Sequence, residues 1–350
     1  MKDTKAAITL IITVYNGEKY LKKCLDAVVS QCFRDFRLIL VDDGSIDDSG
    51  RIGDQYARQY ADFIQIVHQQ NGGLSNARNT GMQYADSEYI AFADADDMLA
   101  EDYLEKLYRA AQDNTADYVI CGYTRIDEQG NILGVRKATD WEMPLLDGRN
   151  HVFTYTAWGR LYRTELIRES RLQFSDGEGL EDIPFNIYMN IVADKCIAID
   201  YEGYLYRVTR ESITELIKHK GVKAASSVMK FPFQGLQHTI ELMRENHGNR
   251  YDDILCYEIV KNLAGLLFFI ADSSDRDAIK RVSIYEQELV QKSFGDIRKN
   301  PYLRIRALPG LPFTYRVAVY LFASAYRHNR IYEFAMFYKK LAVIAKLKKV

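Results

Sequence analysis

With 350 residues, of which 47% are hydrophobic and 27% charged, the chain has a globular composition and enough length for two domains. The formal net charge of −2 and the lack of a nucleic-acid recognition motif argue against a nucleic-acid-binding protein. The five scattered cysteines favour a reducing, cytoplasmic compartment; the N-terminus is not a signal peptide, and no apolar run approaches the roughly 18 residues of a membrane span.

The first part of the chain alternates short apolar runs, typical of buried strands, with segments of helical spacing. The predicted strands are 8–14, 36–41, 64–67 and 89–93, and the predicted helices are 18–30, 48–60, a helix capped by Ser75, and 101–111. This alternation predicts an α/β fold with a doubly wound, mainly parallel sheet. Ligands bind beyond the carboxyl ends of such strands, and polar clusters follow all four ends, at 15–16, 42–43, 69–73 and 94–97.

The rest of the chain contains fewer strand signals and then becomes helical. Residues 135–180 look irregular, and the predicted elements around them are a strand at 118–125, a hairpin at 126–134, a helix at 183–192 and short strands at 197–199 and 204–208. Helical spacing dominates beyond residue 215, in segments 221–246, 251–272, 278–293, 313–326 and 330–348. We therefore expect two domains, residues 1–214 and a helical region, residues 215–350.

The run that ends in Asp94-Ala-Asp96-Asp97 carries the clearest chemical signal. An extended backbone would point Asp94 and Asp96 to the same face, where two like charges repel unless a cation lies between them. Hard divalent cations bind carboxylate oxygens and often bridge to a substrate phosphate. The alternative for the motif alone is a solvated acidic loop that caps the following helix.

Four other positions carry a weaker signal, each with a structural alternative. Asp43 can accept a hydrogen bond from a base or a ribose, or belong to a simple turn; Tyr15 can stack on a base, or lie at the core rim. A cation such as Arg78 is unfavourable near a helix start, so it indicates a bound diphosphate or, alternatively, a surface arginine paired with a neighbouring acid. The acidic pair Glu181-Asp182 either takes part in the reaction or is an acidic pair that the helix dipole favours at a helix N-terminus.

Taken together, the motifs resemble a known family, although a dinucleotide fingerprint, a P-loop and a nucleophile elbow are absent. The motifs are Tyr15-Asn16 after a strand, Val41-Asp-Asp-Gly-Ser-x-Asp47, Asn71-Gly-Gly-Leu-Ser-x-Ala-Arg-Asn-x-Gly81, Asp94-x-Asp-Asp97, Trp158-x-x-Leu-Tyr162 and Glu181-Asp182. In this order, over about residues 6–214, they resemble the family 2 glycosyltransferases, which are inverting, nucleotide-sugar-dependent enzymes of the GT-A fold.

The resemblance implies a role for each matching residue. Asp182 matches the catalytic base, and Asp96 matches the main ligand to Mg²⁺ or Mn²⁺, with Asp94 beside it toward the metal or the ribose and Asp97 structural. The implied donor-binding residues are Thr13, Tyr15 and Asp43 at the nucleobase and Arg78 at the nucleotide or its phosphates.

Two departures from the family pattern modify these roles. Thr13 stands where relatives often carry Pro, and residues 206–212 lack the His that helps some relatives to bind the metal, so we expect Arg207 or Arg210 to contact the diphosphate instead. On the acceptor side we expect Glu181, and Trp158 as a sugar-stacking wall, although a buried core Trp is the alternative.

The end of the chain carries an unusual charge. Residues 298–350 contain twelve Lys and Arg against a single acid, Glu333, a net charge of +11 that leaves −13 on residues 1–297. Basic residues interleaved with apolar ones suit an anionic membrane surface, while a helical subdomain with a solvated basic face or a homo-oligomer contact are alternatives.

The resemblance implies a function. It is the transfer of a hexosyl or N-acetylhexosaminyl group, from a donor that is UDP-linked, to a hydroxyl of a glycan or lipid-linked acceptor in bacterial surface polysaccharide synthesis. The enzyme would be cytoplasmic, or peripheral at the inner face of the plasma membrane. The alternative is a non-catalytic nucleotide-sugar-binding module of an assembly complex.

Overall fold

The structure, a computed structural model, describes residues 5–144, 150–152, 155–177, 179–209, 232–271, 276–308 and 313–347. The chain divides into two units, Met1–Glu142 with Arg149–Thr209, and Met143–Gly148 with Arg210–Val350. The predicted domain boundary at 214/215 lies outside the described residues. Among the helices within the described ranges, none combines the length and apolar composition that crossing a bilayer requires.

Parallel strands form the first half of the sheet in unit 1. In spatial order they are β3 (Ile64–His68), β2 (Phe36–Asp42), β1 (Ile8–Val14) and β4 (Tyr89–Asp94). β1 is buried along its whole length because it has a strand on each side and helices on its faces. Its register pairs Val14 with Asp42 and Thr13 with Asp94, so the polar strand ends meet at one edge, as the alternating pattern predicts.

The helices that connect these strands bury one apolar face each. They are α1 (Glu18–Val29), α2 (Ser49–Gln59), α3 (Leu74–Tyr84) and α4 (Tyr103–Asn114). In α1 the buried side chains Leu21, Cys24, Leu25 and Val28 repeat at the three- and four-residue spacing that defines one helix face. α3 lies close to β1, since a Cβ on Gly81 would come within 2.4 Å of Ile11.

The second half of the sheet is mixed. Its members are β5 (Met98–Leu99), β6 (Tyr118–Ile126), β7 (Ile132–Arg136), β10 (Arg160–Arg163) and β11 (Cys196–Arg207). β10 inserts between β4 and β6 and pairs antiparallel with both, while β6 and β11 are parallel. The sequence did not indicate β10, because four residues with an Arg at each end show no strand periodicity.

The remaining elements of this region are short strands and two helices. They are β8 (Glu142–Pro144), β9 (Asn150–Val152), α5 (Thr164–Ser170) and α6 (Asp182–Val192). The segment predicted as irregular therefore contains β10 and α5, and α6 lies within a residue of its predicted start. All five cysteines are free, as expected from their spacing.

Unit 2 is helical in most of its described part beyond residue 231. Its helices are α7 (Phe233–His247), α8 (Asp252–Ala271), α9 (Arg276–Phe294), α10 (Phe313–Arg327) and α11 (Ile331–Leu347). The last four agree with the predicted segments within about two residues, and residues 221–231 of the first predicted segment lie outside the described residues. The C-terminal helical region expected from the sequence is thus present.

Candidate active site

A tight acidic turn follows β4. The N–H of Asp97 donates to the carbonyl oxygen of Asp94 at 3.1 Å, so the backbone turns at Ala95 and Asp96 instead of staying extended. Ligand oxygens of all three aspartates lie within 4.8 Å of one another. The turn, rather than strand alternation, brings Asp94 and Asp96 together, and it adds Asp97 to the cluster.

Two residues of β11 hold the acidic turn in place. The Tyr204 hydroxyl donates to Asp97 Oδ2 at 2.6 Å and accepts from the Asp94 N–H at 3.1 Å. The Arg207 N–H donates to Asp97 Oδ1 at 2.7 Å, and its Nε donates to the Asp96 carbonyl oxygen at 2.8 Å. Because both oxygens of Asp97 accept from β11, Asp94 and Asp96 are the members of the cluster suited to bind a cation.

The charge on the acidic turn fits a divalent cation. Burial and the charge of Asp94 raise the pKa of Asp96 to about 6. Burial and the charges of Asp96 and Asp94 raise the pKa of Asp97 well above its usual range. Such shifts arise where neighbouring positive groups do not balance the carboxylates. Since carboxylate oxygens are the donors that Mg²⁺ and Mn²⁺ prefer, the residues present fit the expected metal.

Arg78 joins the acidic turn to the start of α6. Its side chain is buried, with Nη2 donating to Asp94 Oδ1 at 2.9 Å and Nη1 to Glu181 Oε1 at 2.5 Å. The guanidinium also lies 5.3 Å from the centre of the Phe174 ring. Arg78 is thus paired with acids, as its structural alternative expected, but it is buried and does not lie at the surface. Its role at the nucleotide phosphates stays a prediction.

Asp182 begins α6 directly after Glu181. Burial, followed by the charge of Glu181, raises the pKa of Asp182 to about 7, against the lowering effect of Arg78. Asn186, one turn later, donates from Nδ2 to the Asp182 carbonyl oxygen at 2.8 Å and is itself buried. The carboxyl group therefore titrates near neutral pH on a fixed backbone, as a general base requires.

The predicted nucleobase residues lie at the ends of β1 and β2. Thr13 is buried, and Tyr15 is 53% exposed. Asp43 is buried and accepts from the N–H groups of Gly72 and Gly73, each at 2.8 Å, and from Gln69 Nε2 at 2.7 Å. Asp43 thus positions the loop before α3, and its contact with a base stays a prediction.

The residues expected at the acceptor and the diphosphate have different surroundings. Trp158 is partly buried and stacks on Tyr204 at 4.4 Å between ring centres and on Tyr206 at 5.4 Å. Arg207 is 1% exposed, and its Nη1 donates to the carbonyl oxygens of Asp127 and Glu128. These contacts favour a positioning role for Arg207 over diphosphate binding. Arg210 lies outside the described residues.

Sequence reasoning missed several residues that shape the site. Tyr204 lies in a predicted strand, but its position in the sequence gives no sign that its hydroxyl reaches Asp94 and Asp97. Phe174, which stacks on Phe185 of α6 at 4.1 Å, lies in a segment predicted as irregular. Gln69 was detectable, because it belongs to a polar cluster at a strand end.

The chain matches a known protein family and several known proteins. The family model described as Glycosyl transferase family 2 matches residues 9–171. "Uncharacterized glycosyltransferase EpsJ" of Bacillus subtilis (strain 168) is 34% identical over 218 residues, 60% of this chain and 63% of that protein. "Glycosyltransferase GlyG" of Streptococcus pneumoniae serotype 4 is 32% identical over 226 residues, 59% of this chain and 72% of that protein.

Two further similarities bear on fold and chemistry. "Poly(ribitol-phosphate) beta-glucosyltransferase" of Bacillus spizizenii is 31% identical over 209 residues, 58% of this chain and 32% of that protein. The crystal structure of S. aureus TarS 1-349 in complex with UDP-GlcNAc has a TM-score of 0.59 at 17% identity and covers 92% of each chain. The chain therefore shares its fold with that structure, while it spans less than two thirds of EpsJ.

Proposed function

This chain belongs to the family 2 glycosyltransferases, and from that premise we propose that it transfers a hexose or N-acetylhexosamine, with inversion, from a UDP-linked donor to an acceptor hydroxyl. One observation carries the proposal. The ion pairs of the buried Arg78 with Asp94 and Glu181 join the acidic turn to the residue before Asp182. This connection fixes the proposed donor-binding carboxylates relative to the proposed base.

Asp182 supplies the base in this proposal. Its carboxylate removes the proton of the acceptor hydroxyl while that oxygen forms a bond to the anomeric carbon. The bond from that carbon to the diphosphate breaks on the opposite face, so one displacement inverts the configuration. A pKa near 7 is suited to the task, because the group is a stronger base than an ordinary carboxylate and is still ionised in part at neutral pH.

Asp94 and Asp96 would hold the divalent cation, Mg²⁺ or Mn²⁺. When bound, this cation supplies positive charge that stabilises the leaving nucleoside diphosphate. Thr13, Tyr15 and Asp43, at neighbouring strand ends, are proposed to contact the nucleobase. The UDP-GlcNAc bound to TarS, which has the same fold, supports a UDP-linked donor for this chain.

The proposal is tested with two variants that separate binding from chemistry. We expect Asp96→Ala to abolish transfer and to weaken metal-dependent UDP binding. We expect Asp182→Asn to lower the transfer rate by about 10²–10⁴-fold while UDP binding persists. Donor hydrolysis over a panel of nucleotide sugars, with and without Mn²⁺, gives the rates, and titration calorimetry gives the affinities.

Asp200→Asn is the matched control, because Asp200 is an exposed aspartate paired with Lys137. It should leave both rate and affinity unchanged. Full activity in Asp96→Ala or Asp182→Asn would overturn the residue assignment. Binding of UDP and metal with no turnover of any donor would instead favour a non-catalytic nucleotide-sugar-binding module.

The acceptor and the location belong to the same proposal. Glycosylation of poly(ribitol-phosphate) by a relative supports an acceptor that is a bacterial surface polysaccharide or its lipid-linked precursor. A water-soluble nucleotide sugar and a lipid-linked acceptor meet at a membrane surface. We therefore place the enzyme at the cytoplasmic face of the plasma membrane, with Trp158 and Glu181 on the acceptor side of the site.

A further inference from the structure

Helix α10 of unit 2 presents apolar side chains on the face opposite to its buried one. Val319, Phe322 and Ala323 are buried, whereas Phe313 is 64% and Leu321 46% exposed. At 100° per residue, Phe313 and Leu321 lie on the side of the helix that points away from the buried residues. The helix has 15 residues and is about 22 Å long, too short to span a bilayer but long enough to lie along its surface.

Helix α11 packs against α10 through a contact between Phe334 and Phe322. It exposes an aromatic ring and a lysine. Phe337 is 59% exposed, and Lys340 is exposed three residues later. An exposed aromatic ring beside a lysine is the composition of helices that lie in the interfacial region of a membrane. Each helix of this hairpin therefore carries at least one large apolar group that is accessible to solvent.

Cations flank the exposed apolar groups. Arg316 packs its guanidinium 5.7 Å from the centre of the Phe313 ring and donates to the carbonyl oxygen of Ile305 at 3.0 Å. This contact attaches the segment with the exposed Arg304 and Arg306 to the start of α10. Within the described ranges, neither of these two arginines nor Lys340 has a carboxylate at ion-pair distance.

We propose that these exposed residues, Phe313, Leu321, Phe337, Arg304, Arg306 and Lys340, form a surface that binds an anionic lipid bilayer. The proposal rests on the membrane location proposed above and names the residues responsible for it. The net charge of +11 on residues 298–350 is complementary to an anionic leaflet, and the exposed aromatic and aliphatic groups can enter its interfacial region.

The same charge makes other partners less suitable. A second copy of the chain, bound symmetrically through this surface, would bring two strongly positive segments together and leave them unbalanced. Nucleic acid would satisfy the charges, but its phosphate backbone offers no apolar phase for Phe313, Leu321 and Phe337. An anionic bilayer satisfies both the cations and the apolar groups.

Vesicle sedimentation with the full chain tests the proposal. We expect binding to vesicles of phosphatidylcholine with one third phosphatidylglycerol, little binding to pure phosphatidylcholine, and weaker binding as salt rises. The double variant Arg304→Gln/Arg306→Gln should bind the anionic vesicles roughly 30-fold more weakly. Leu321→Ser/Phe337→Ser should bind them at least roughly tenfold more weakly.

Two control variants make the same kinds of substitution on α9, cation to Gln and apolar residue to Ser. Lys280→Gln/Arg281→Gln removes two exposed cations, and Ile284→Ser removes an apolar side chain that is 50% exposed. If the controls bind as weakly as the surface variants, or if all variants bind like the parent, the proposal is wrong. Binding to a DNA duplex as tight as to the vesicles, or loss of a dimer without loss of vesicle binding in Leu321→Ser/Phe337→Ser, would also overturn it.

Sedimentation needs neither donor nor acceptor, so the outcome is independent of catalysis. Asp182→Asn is expected to bind vesicles like the parent even though its transfer rate is far lower. Conversely, a parent enzyme that hydrolyses its donor but ignores anionic vesicles would refute the surface and leave the glycosyltransferase proposal intact. Circular dichroism of each variant confirms that the helices are retained.

Discussion

Arg78 is the fifth residue of α3, and its guanidinium forms ion pairs with two carboxylates. Its position near a helix N-terminus is electrostatically unfavourable, and the sequence left open whether a diphosphate or an acidic neighbour compensates it. In the structure, Asp94 and Glu181 compensate it, each through one of the two Nη atoms. Because Arg78 is buried, removal of either carboxylate changes the electrostatic environment of the other groups, including Asp182 next to Glu181.

The pH dependence of transfer follows from this arrangement. Asp182, with its pKa raised to about 7, must lose its proton before it can act as a base. We therefore expect kcat/KM to rise with pH, to level off above about 7, and to fall tenfold per pH unit below it. Initial rates of transfer between pH 5 and 9, with a buffer of constant ionic strength, measure the profile.

Glu181→Gln should shift this profile in a defined direction. Loss of the Glu181 charge removes a cause of the raised pKa and leaves Arg78 less neutralised, and both effects favour the ionised form of Asp182. The acidic limb is expected to move down by roughly one to two pH units. Glu169→Gln, which changes an exposed glutamate of α5, is the control and should leave the limb in place. A limb that stays near 7 in Glu181→Gln would contradict the assignment of Asp182 as the base.

At the scale of the element, β11 determines the shape of the acidic turn. The sequence predicts two short strands at 197–199 and 204–208, but the structure has a single strand, Cys196–Arg207, whose pairing with β6 shifts register between Ile199 and Tyr204. With this irregularity, one strand stays paired with β6 as far as Arg207 and also contacts the acidic turn. Tyr204 and Arg207 thereby contact all three aspartates.

Tyr204→Phe tests whether this strand positions the metal ligands. The change removes the donor to Asp97 Oδ2 and the acceptor of the Asp94 N–H, at a site that is fully buried. We expect the free energy of unfolding to fall by about 1–3 kcal/mol and Mn²⁺ affinity in the presence of UDP to decrease. Urea unfolding and calorimetric titration measure the two effects.

Tyr201→Phe is the matched control for this measurement. Tyr201 lies on the same strand, and its hydroxyl donates to Asp102, which precedes α4 and is not part of the acidic turn. Its loss should reduce stability without changing Mn²⁺ affinity. Equal losses of affinity in Tyr201→Phe and Tyr204→Phe would mean that β11 acts through general stability rather than by positioning the turn.

The parallel half of the sheet and β11 differ in how far the sequence predicts them. The parallel half of the sheet was predictable, because apolar runs and helical segments alternate with short links and each strand ends in polar residues. The contacts of Tyr204 with Asp94 and Asp97 were not, because they join residues more than a hundred positions apart. Their geometry depends on the register shift in β11 and on the turn after β4, and neither has a periodic signal.

For the molecule as a whole, positive and negative charge are concentrated in different parts of the chain. Residues 298–350 carry the positive charge, while the acidic turn of unit 1 concentrates negative charge at the candidate active site. The turn is suited to hold a cation, and for that reason its carboxylates repel one another when no cation is bound. Function at this site is therefore expected to reduce the stability of the metal-free protein.

Asp96→Asn tests both the repulsion between the carboxylates and the binding of the cation. Two unit charges about 5 Å apart repel by about 3 kcal/mol at an effective dielectric constant of about 20, so removal of one charge should raise the Tm of the metal-free protein. Mn²⁺ with UDP should raise the Tm of the parent, because a ligand that binds only the folded state stabilises it, and should have little effect on the variant. Differential scanning calorimetry with EDTA, and then with Mn²⁺ and UDP, compares the two proteins.

Asp54→Asn, at a half-exposed aspartate beside His68, serves as the control and should keep the ligand-induced shift of the parent. A metal-free Asp96→Asn protein that melts below the parent, or one that retains the full shift, would show that Asp96 is neither a source of repulsion nor a principal ligand.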